Sequence, residues 1–172
     1  MADFVVREAM PDDAVQVIAH IKRIADEPNN GISISSADEF RYTEEEESTI
    51  IAKAAASDDR LMIIAESKGE IIGVATCTPG NQGYRHTLGL GITVNAAWRD
   101  KGVGTTMLEH IVEWSQNNAL VHRLELWVFP DNKRAINLYE KMGFEHEGSR
   151  RGCFLKDGKF QDLMLMGMIF ER

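Results

Sequence analysis

The sequence predicts an α/β (α+β) fold, a mixed central sheet flanked by helices, on three observations. β-rich runs and helix-period segments alternate in the order β-α-α-β-β-β-α-β-α-β-β. Two of those runs, Leu61–Glu66 and Glu70–Thr78, meet through Lys68-Gly69, the chemistry of a tight hairpin. A third run, Leu88–Val94, leads instead through RDKGVG into a helical pattern, a strand–glycine turn–helix unit that favours a crossover. One sheet must then hold both antiparallel and parallel neighbours.

Taken in order, Phe4–Glu8 reads as a short opening strand. A helix follows from Pro11, with Asp12 and Asp13 in its first turn and Val15, Ile18, Ile21 and Ala25 on one face, ending by Pro28. Asn29–Ser36 is a polar loop. Thr43 with Glu46 three residues on forms a capping box for a second helix, whose apolar side is Ile50, Ile51, Ala54 and Ala55. After the hairpin, the glycine-rich stretch Pro79–Tyr84 leads into a strand at His86–Val94. Val103, Met107, Leu108, Ile111, Val112 and Trp114 mark a helix to about Asn118. Arg123–Phe129 alternates as a strand, Asn132 to Met142 is a helix stopped by Gly143, and Phe144–Arg150 and Phe160–Phe170 close the chain around the turn Lys156-Asp157-Gly158. No repeat or linker interrupts the pattern, so residues 1–172 are expected to form one domain.

Composition narrows the functions. The chain is 44% hydrophobic and 27% charged, as expected for a globular protein. Its net charge of −8 argues against a nucleic-acid binder, whose footprint is basic. No apolar run approaches a membrane span and no leader peptide is visible, so no membrane partner is expected and the location expected is cytoplasmic. Cys77 and Cys153 fit no ligand spacing, so free thiols and no bound metal are expected.

The glycine pair Gly102 and Gly104 raises the question of chemistry. Glycine at a helix mouth costs backbone entropy, and one reason to accept the cost is close approach of a ligand. Opening amides of a helix lack partners within it, and the helix dipole favours negative charge there, so the turn is a candidate phosphate cradle. The pattern Arg-x-x-Gly-x-Gly is neither a P-loop nor the three-glycine dinucleotide fingerprint. A tight turn with no ligand is the alternative.

A second stretch, Asp131–Gly143 (DNKRAINLYEKMG) followed by Phe144, buries Ala135, Ile136, Leu138 and Met142 on one side of a short helix. Tyr139 stands seven residues after Asn132, about two turns, on nearly the same face. Read alone it is an amphipathic helix with a packed tyrosine. In this order and spacing, however, the two stretches resemble the GNAT superfamily, the GCN5-related N-acetyltransferases, and the resemblance covers nearly the whole chain. The closing DGKFQDLMLMG is also similar to the last strands of its bacterial small-molecule and protein-amine members.

The resemblance implies an acetyl-CoA-dependent N-acetyltransferase acting by direct transfer in a ternary complex, with a primary amine of a small molecule (amino acid, polyamine or similar) as acceptor. A protein N-terminus or lysine is the alternative acceptor, and a non-catalytic acyl-CoA sensor is the alternative of another class. It also implies a sheet splayed between the fourth and fifth strands, with Ile92, Thr93 and Val94 bonding the pantetheine arm as an added strand. Gly89 and Gly91 suit a bulge in that strand. Arg99, Asp100, Lys101, Gly102, Val103, Gly104 and Thr105 would wrap the pyrophosphate. Asn132, Asn137, Tyr139 and Lys141 would lie along the cofactor's side of the next helix. Homodimers are common in the family, and the apolar final strand LMLMGMIF either takes part in one or is simply core.

Acyl transfer from a thioester to an amine needs a polarised carbonyl, a deprotonated amine and a stabilised thiolate. A backbone amide at or just before Val94 suits the first. Tyr139 suits the last as general acid, since a phenol of pKa near ~10 can protonate a thiolate. For the base, Glu125 through water and His86 are the candidates; otherwise the amine arrives neutral or loses its proton to ordered water. In the ribosomal-protein members of the superfamily an acidic residue stands five before the motif asparagine. Here that residue is Trp127, a departure that counts against carrying over their base and substrate. Glu44–Glu47 reads either as a solvated helix end or as a wall attracting a cationic acceptor. Trp98 and Tyr84 read as packing residues.

Overall fold

The computed structural model describes residues 3–28, 30–32, 34 and 36–171. Asn29, Ser33 and Ser35, within the expected polar loop, lie outside the described residues. Seven strands form one sheet: β1 (Val5–Glu8), β2 (Leu61–Ser67), β3 (Glu70–Pro79), β4 (Thr87–Val94), β5 (Arg123–Val128), β6 (Glu145–Lys156) and β7 (Lys159–Ile169), in the order β1-β2-β3-β4-β5-β7-β6. Among the described residues four α-helices accompany it: α1 (Ala14–Ala25), α2 (Glu44–Ala55), α3 (Val103–Asn117) and α4 (Lys133–Lys141). All neighbouring strands run antiparallel except β4 and β5, which α3 joins as a parallel pair.

The sheet's two faces carry separate cores. On one face Ile63, Ala65, Ile72, Leu88 and Leu124 pack against Val103, Met107, Leu108 and Ile111 of α3 and Ile136 and Tyr139 of α4. On the other, Met62, Ile64, Ile71 and Val74 receive Ala14 and Val17 of α1 and Ile51 of α2. Adjacent residues of β2 feed opposite cores, as strand geometry requires.

Several packing expectations shift. Val15 is 54% exposed, and the inward face of α1 is Ala14, Val17, His20, Ile24 and Ala25. The helix starts one residue out of phase with the apolar reading, because Pro11 to Asp13 form a separate 3₁₀ turn. On α2 only Ile51 of the expected set is fully buried; Ile50 faces out and Glu47 takes an inward place. Tyr84 is 71% exposed and not a packing residue, whereas Trp98 does pack against the main core. The final hairpin is longer than its alternation suggests, because β6 continues through two register shifts to Lys156.

The expected splay is present. Pairing of β4 with β5 covers Thr87↔Arg123, Leu88↔Leu124 and Gly89↔Glu125 and then stops. β4 remains paired to β3 as far as Val94↔Gly73, and β5 to β7 as far as Val128↔Met164. Residues 90–94 and 126–128 therefore diverge, opening a fork inside the sheet. No bulge is needed at Gly89 or Gly91, since the β3–β4 register is continuous.

Candidate active site

The direction of β4's backbone groups follows from its register. Gly80 donates its N–H to the Thr87 carbonyl (3.0 Å), and Asn95 donates to the Ile72 carbonyl (2.8 Å). Odd-numbered residues of β4 therefore bond to β3, and the intervening Ile92 and Val94 direct their backbone groups into the fork. Thr93 does not share that direction. Its hydroxyl donates to the Val74 carbonyl (3.2 Å) and lies 2.9 Å from Nε2 of His20. Of the three residues expected to act as a strand edge, two present a free edge and the third ties that edge to α1.

The fork opens into a cavity of about 1010 Å³, large enough for a sizeable cofactor and an acceptor together. Ile92, Thr93, Val94, Arg99, Asp100, Gly102, Gly104, Thr105, Asn132 and Tyr139 all line it. Sequence positions nearly fifty residues apart thus meet on one wall. Lys101, Val103, Asn137 and Lys141 do not line it. Val103 is fully buried in the core, Lys101 lies 5.2 Å over the Trp98 ring, and Asn137 and Lys141 face outward from α4.

The two glycines at the mouth of α3 serve different local needs. Gly102 caps the helix at φ +86°, a left-handed conformation that side chains resist, and the space beside it is open. At Gly104 an added Cβ would stand 3.2 Å from Leu138 Cδ2, so α3 and α4 pack closely there. Arg99 is engaged rather than free: its Nε donates to the Val94 carbonyl (3.0 Å), and its guanidinium pairs with Glu27 at the end of α1. It fixes the β4 end and leaves the N–H groups of the strand edge available. Asn132 caps α4, its Oδ1 accepting from the Ala135 N–H (3.3 Å).

Tyr139 is only 8% exposed, and its ring packs 5.9 Å from that of Phe144. Its hydroxyl has no hydrogen-bond partner among the described residues. Burial pushes its pKa up to about 12, with Arg134 acting weakly in the opposite direction. The group therefore stays protonated at neutral pH, available as a donor and less acidic than an ordinary phenol.

The two base candidates lie elsewhere. Glu125 is absent from the cavity wall and accepts from Arg123 Nε (3.1 Å), in a network with Glu147. Glu125 is also at the last β4–β5 pair, before the fork opens. His86 precedes β4 at the opposite end of that strand, exposed, with its ring edge-on to His122 at 5.8 Å. The geometry brings neither to Tyr139's cavity.

Sequence reading missed part of the wall. Phe40, Arg41 and Tyr42 line it from the segment entering α2, and Leu163 and Phe129 from β7 and the residue after β5. Of the four glutamates at the start of α2, only Glu46 lines the cavity, and its Oε2 accepts the Thr43 N–H (2.8 Å) in the expected capping box. Arg134 joins the wall near Arg99; partial burial and that neighbour press its guanidinium below the ordinary arginine value. Arg134 was legible as a cation two residues after the motif asparagine. The α2 entry gave no comparable signal, since it carries no fixed spacing.

The sequence profile of the Acetyltransferase (GNAT) family matches residues 28–144. The chain belongs to this family. An L-amino acid N-acetyltransferase of Escherichia coli K12 is 32% identical over 108 residues, 62% of this chain and 67% of that protein. The [ribosomal protein uS5]-alanine N-acetyltransferase of the same organism is 32% identical over 99 residues, 58% of this chain and only about half (51%) of that protein. A GNAT-family acetyltransferase from Streptococcus pneumoniae superposes with a TM-score of 0.92 at 32% identity, over 98% of this chain and all of its own. A putative acetyltransferase from Salmonella typhimurium, solved with acetyl-CoA, shares the fold at TM-score 0.85 and 16% identity, covering 98% and 95% of the two chains. The Salmonella protein holds acetyl-CoA, an acyl donor built from a pantetheine arm and phosphates. The wall suits such a donor on three counts: a free strand edge at Ile92 and Val94, open space beside Gly102, and the opening amides of α3. No group of three or more His, Cys, Asp or Glu among the described residues could hold a metal ion. Nor is any described helix long and apolar enough to cross a membrane.

Proposed function

We propose that the protein transfers the acetyl group of acetyl-CoA to the primary amine of a small molecule, directly, with both substrates in the cavity at once. The observation that carries this reading is the fork in the sheet, which brings an unpaired strand edge and the Tyr139 hydroxyl to one cavity wall. Acetyl-CoA supplies a thioester: the amine nitrogen forms a bond to its acyl carbon, and the carbon–sulfur bond breaks. The N–H groups of Ile92 and Val94 hold the pantetheine arm and polarise the carbonyl. The amides opening α3, with Thr105 and the Arg134 charge, hold the phosphates. Tyr139 donates its proton to the departing sulfur. The amine's own proton leaves to water in the open cavity, since Glu125 and His86 stand outside it.

A small acceptor is favoured over a protein N-terminus by Trp127, a cavity-wall residue standing five before the motif asparagine, the sequence position at which the resemblance would put an acid in the ribosomal-protein enzymes. The L-amino acid relative points the same way. We further propose a cytoplasmic location and a homodimer. The final strand is already paired on both sides, by β5 and β6, so pairing would fall to β6, the sheet's edge strand. Measuring free CoA released from acetyl-CoA over a panel of amino acids, polyamines and peptides tests the reading. Release with at least one amine, matched by its N-acetyl product, is expected. Acetyl-CoA binding with no transfer to any amine would favour a sensor instead.

A further inference from the structure

We propose that Arg41 reads a carboxylate on the acceptor, so that the acceptor is an α-amino acid with an apolar side chain. This rests on the acetyl-transfer reading above and names the substrate class of the same cavity. Arg7, Arg23, Arg99 and Arg123 each close an ion pair. Arg41 lines the cavity and closes neither an ion pair nor a hydrogen bond with any described residue. In a chain of net charge −8, an exposed arginine of the cavity wall that no described acidic residue pairs is placed to bind an anion. A second free guanidinium, Arg134, stands by Arg99 and the mouth of α3, where the phosphates of the donor are expected. Arg41 comes from a different element, the segment entering α2, and so has a different ligand.

The surroundings of Arg41 define the rest of the acceptor. Phe40 and Tyr42 flank it, their rings edge to face at 5.4 Å, and both line the cavity. Ile34, Trp127 and Leu163 extend that apolar wall. Tyr42 is 52% exposed, which leaves apolar ring surface bare for a ligand, and Trp127, 40% exposed, carries the Arg150 guanidinium 5.3 Å over its ring. Arg41 would repel the distal charge of a polyamine. An amino acid presents its carboxylate to the guanidinium fork, its side chain to the rings, and its amine to the acyl carbon.

The test compares L-leucine, L-leucinamide, isoamylamine and spermidine as acceptors for wild type, Arg41→Gln and Arg41→Lys. Leucinamide carries the weaker base, so supply of free amine favours the amide and any preference for the acid reports recognition. Wild type should prefer leucine to leucinamide and isoamylamine by at least about ten-fold in kcat/KM. Arg41→Gln should lose at least about ten-fold on leucine, mostly in KM, with little change on leucinamide and isoamylamine. Arg41→Lys should fall between, keeping the charge and losing the fork. Acetyl-CoA affinity and melting temperature should be unchanged in both variants. Equal loss on all amines, weakened acetyl-CoA binding, or a wild-type preference for spermidine would overturn the assignment while leaving the acetyltransferase reading intact. No acetylation of any amine by wild type would overturn both.

Discussion

Tyr139 is the residue on which the proposed chemistry turns. Tyr139→Phe keeps the ring against Phe144 and removes only the hydroxyl. We expect kcat to fall by ~10²-fold with acetyl-CoA affinity within a few-fold, measured where chemistry limits the rate. Because burial raises its pKa from 10.0 to about 12, Tyr139 should not ionise below about pH 10, and an alkaline loss of kcat at lower pH has another source. Gly104 shows how one residue carries two constraints. Gly104→Val should weaken acetyl-CoA binding at least ~ten-fold, about 1.4 kcal/mol, by filling the approach to the α3 amides. It should also lower the melting temperature through the 3.2 Å contact with Leu138. Adding Leu138→Val should restore melting temperature without restoring affinity; recovery of both by calorimetry would assign the glycine to packing alone. The sequence exposed both residues as motif members, but it could not separate Gly102, required by φ, from Gly104, required by a neighbour thirty-four residues away.

At the scale of elements, the fork gives a prediction with residue parity. Ile92 and Val94 point their N–H groups into the cavity, while Thr93 bonds to β3. On addition of acetyl-CoA, amide exchange should slow at least ~ten-fold at Ile92 and Val94 and change little at Thr93. Equal protection of all three would contradict strand-like binding. At the start of α2, Glu46 is the single glutamate of four that lines the cavity, and it also closes the capping box. Glu46→Gln should therefore lower the melting temperature slightly. Its effect on kcat/KM should be no larger in low salt than in high salt if the four glutamates are a solvated helix end. A larger loss at low salt would mean the acidic wall steers a cation. The element order was legible because hydrophobic period and turn chemistry are local. The phase of α1 and the length of β6 were not, because a short 3₁₀ turn leaves no apolar period to read and the register shifts of β6 depend on its partner strand.

For the whole molecule, stability toward acid should report His20. Its ring is 1% exposed, and burial holds its pKa down to about 4 from 6.5. A depressed folded value means the unfolded chain takes up the proton first. The stability is therefore fully present above pH 6.5 and is lost as pH falls toward 4, by about 3 kcal/mol in total. Glu47, raised by burial, works in the opposite sense at lower pH. His20→Gln keeps a donor for Thr93 and does not titrate, so its melting temperature should fall less steeply than wild type between pH 6.5 and 5. Identical slopes would rule His20 out as the source. The sequence by itself determined the fold class, the order of elements, the family and the two motif walls of the cavity, because each is written in spacing along one stretch of chain. The tertiary structure alone decided that Glu125 and His86 lie away from the cavity and that Arg99 is held by Glu27. It alone placed Arg41, Phe40 and Tyr42 on the wall of the cavity that Tyr139 also lines. Those facts depend on where strands diverge and which loop crosses the opening, and no local periodicity encodes either.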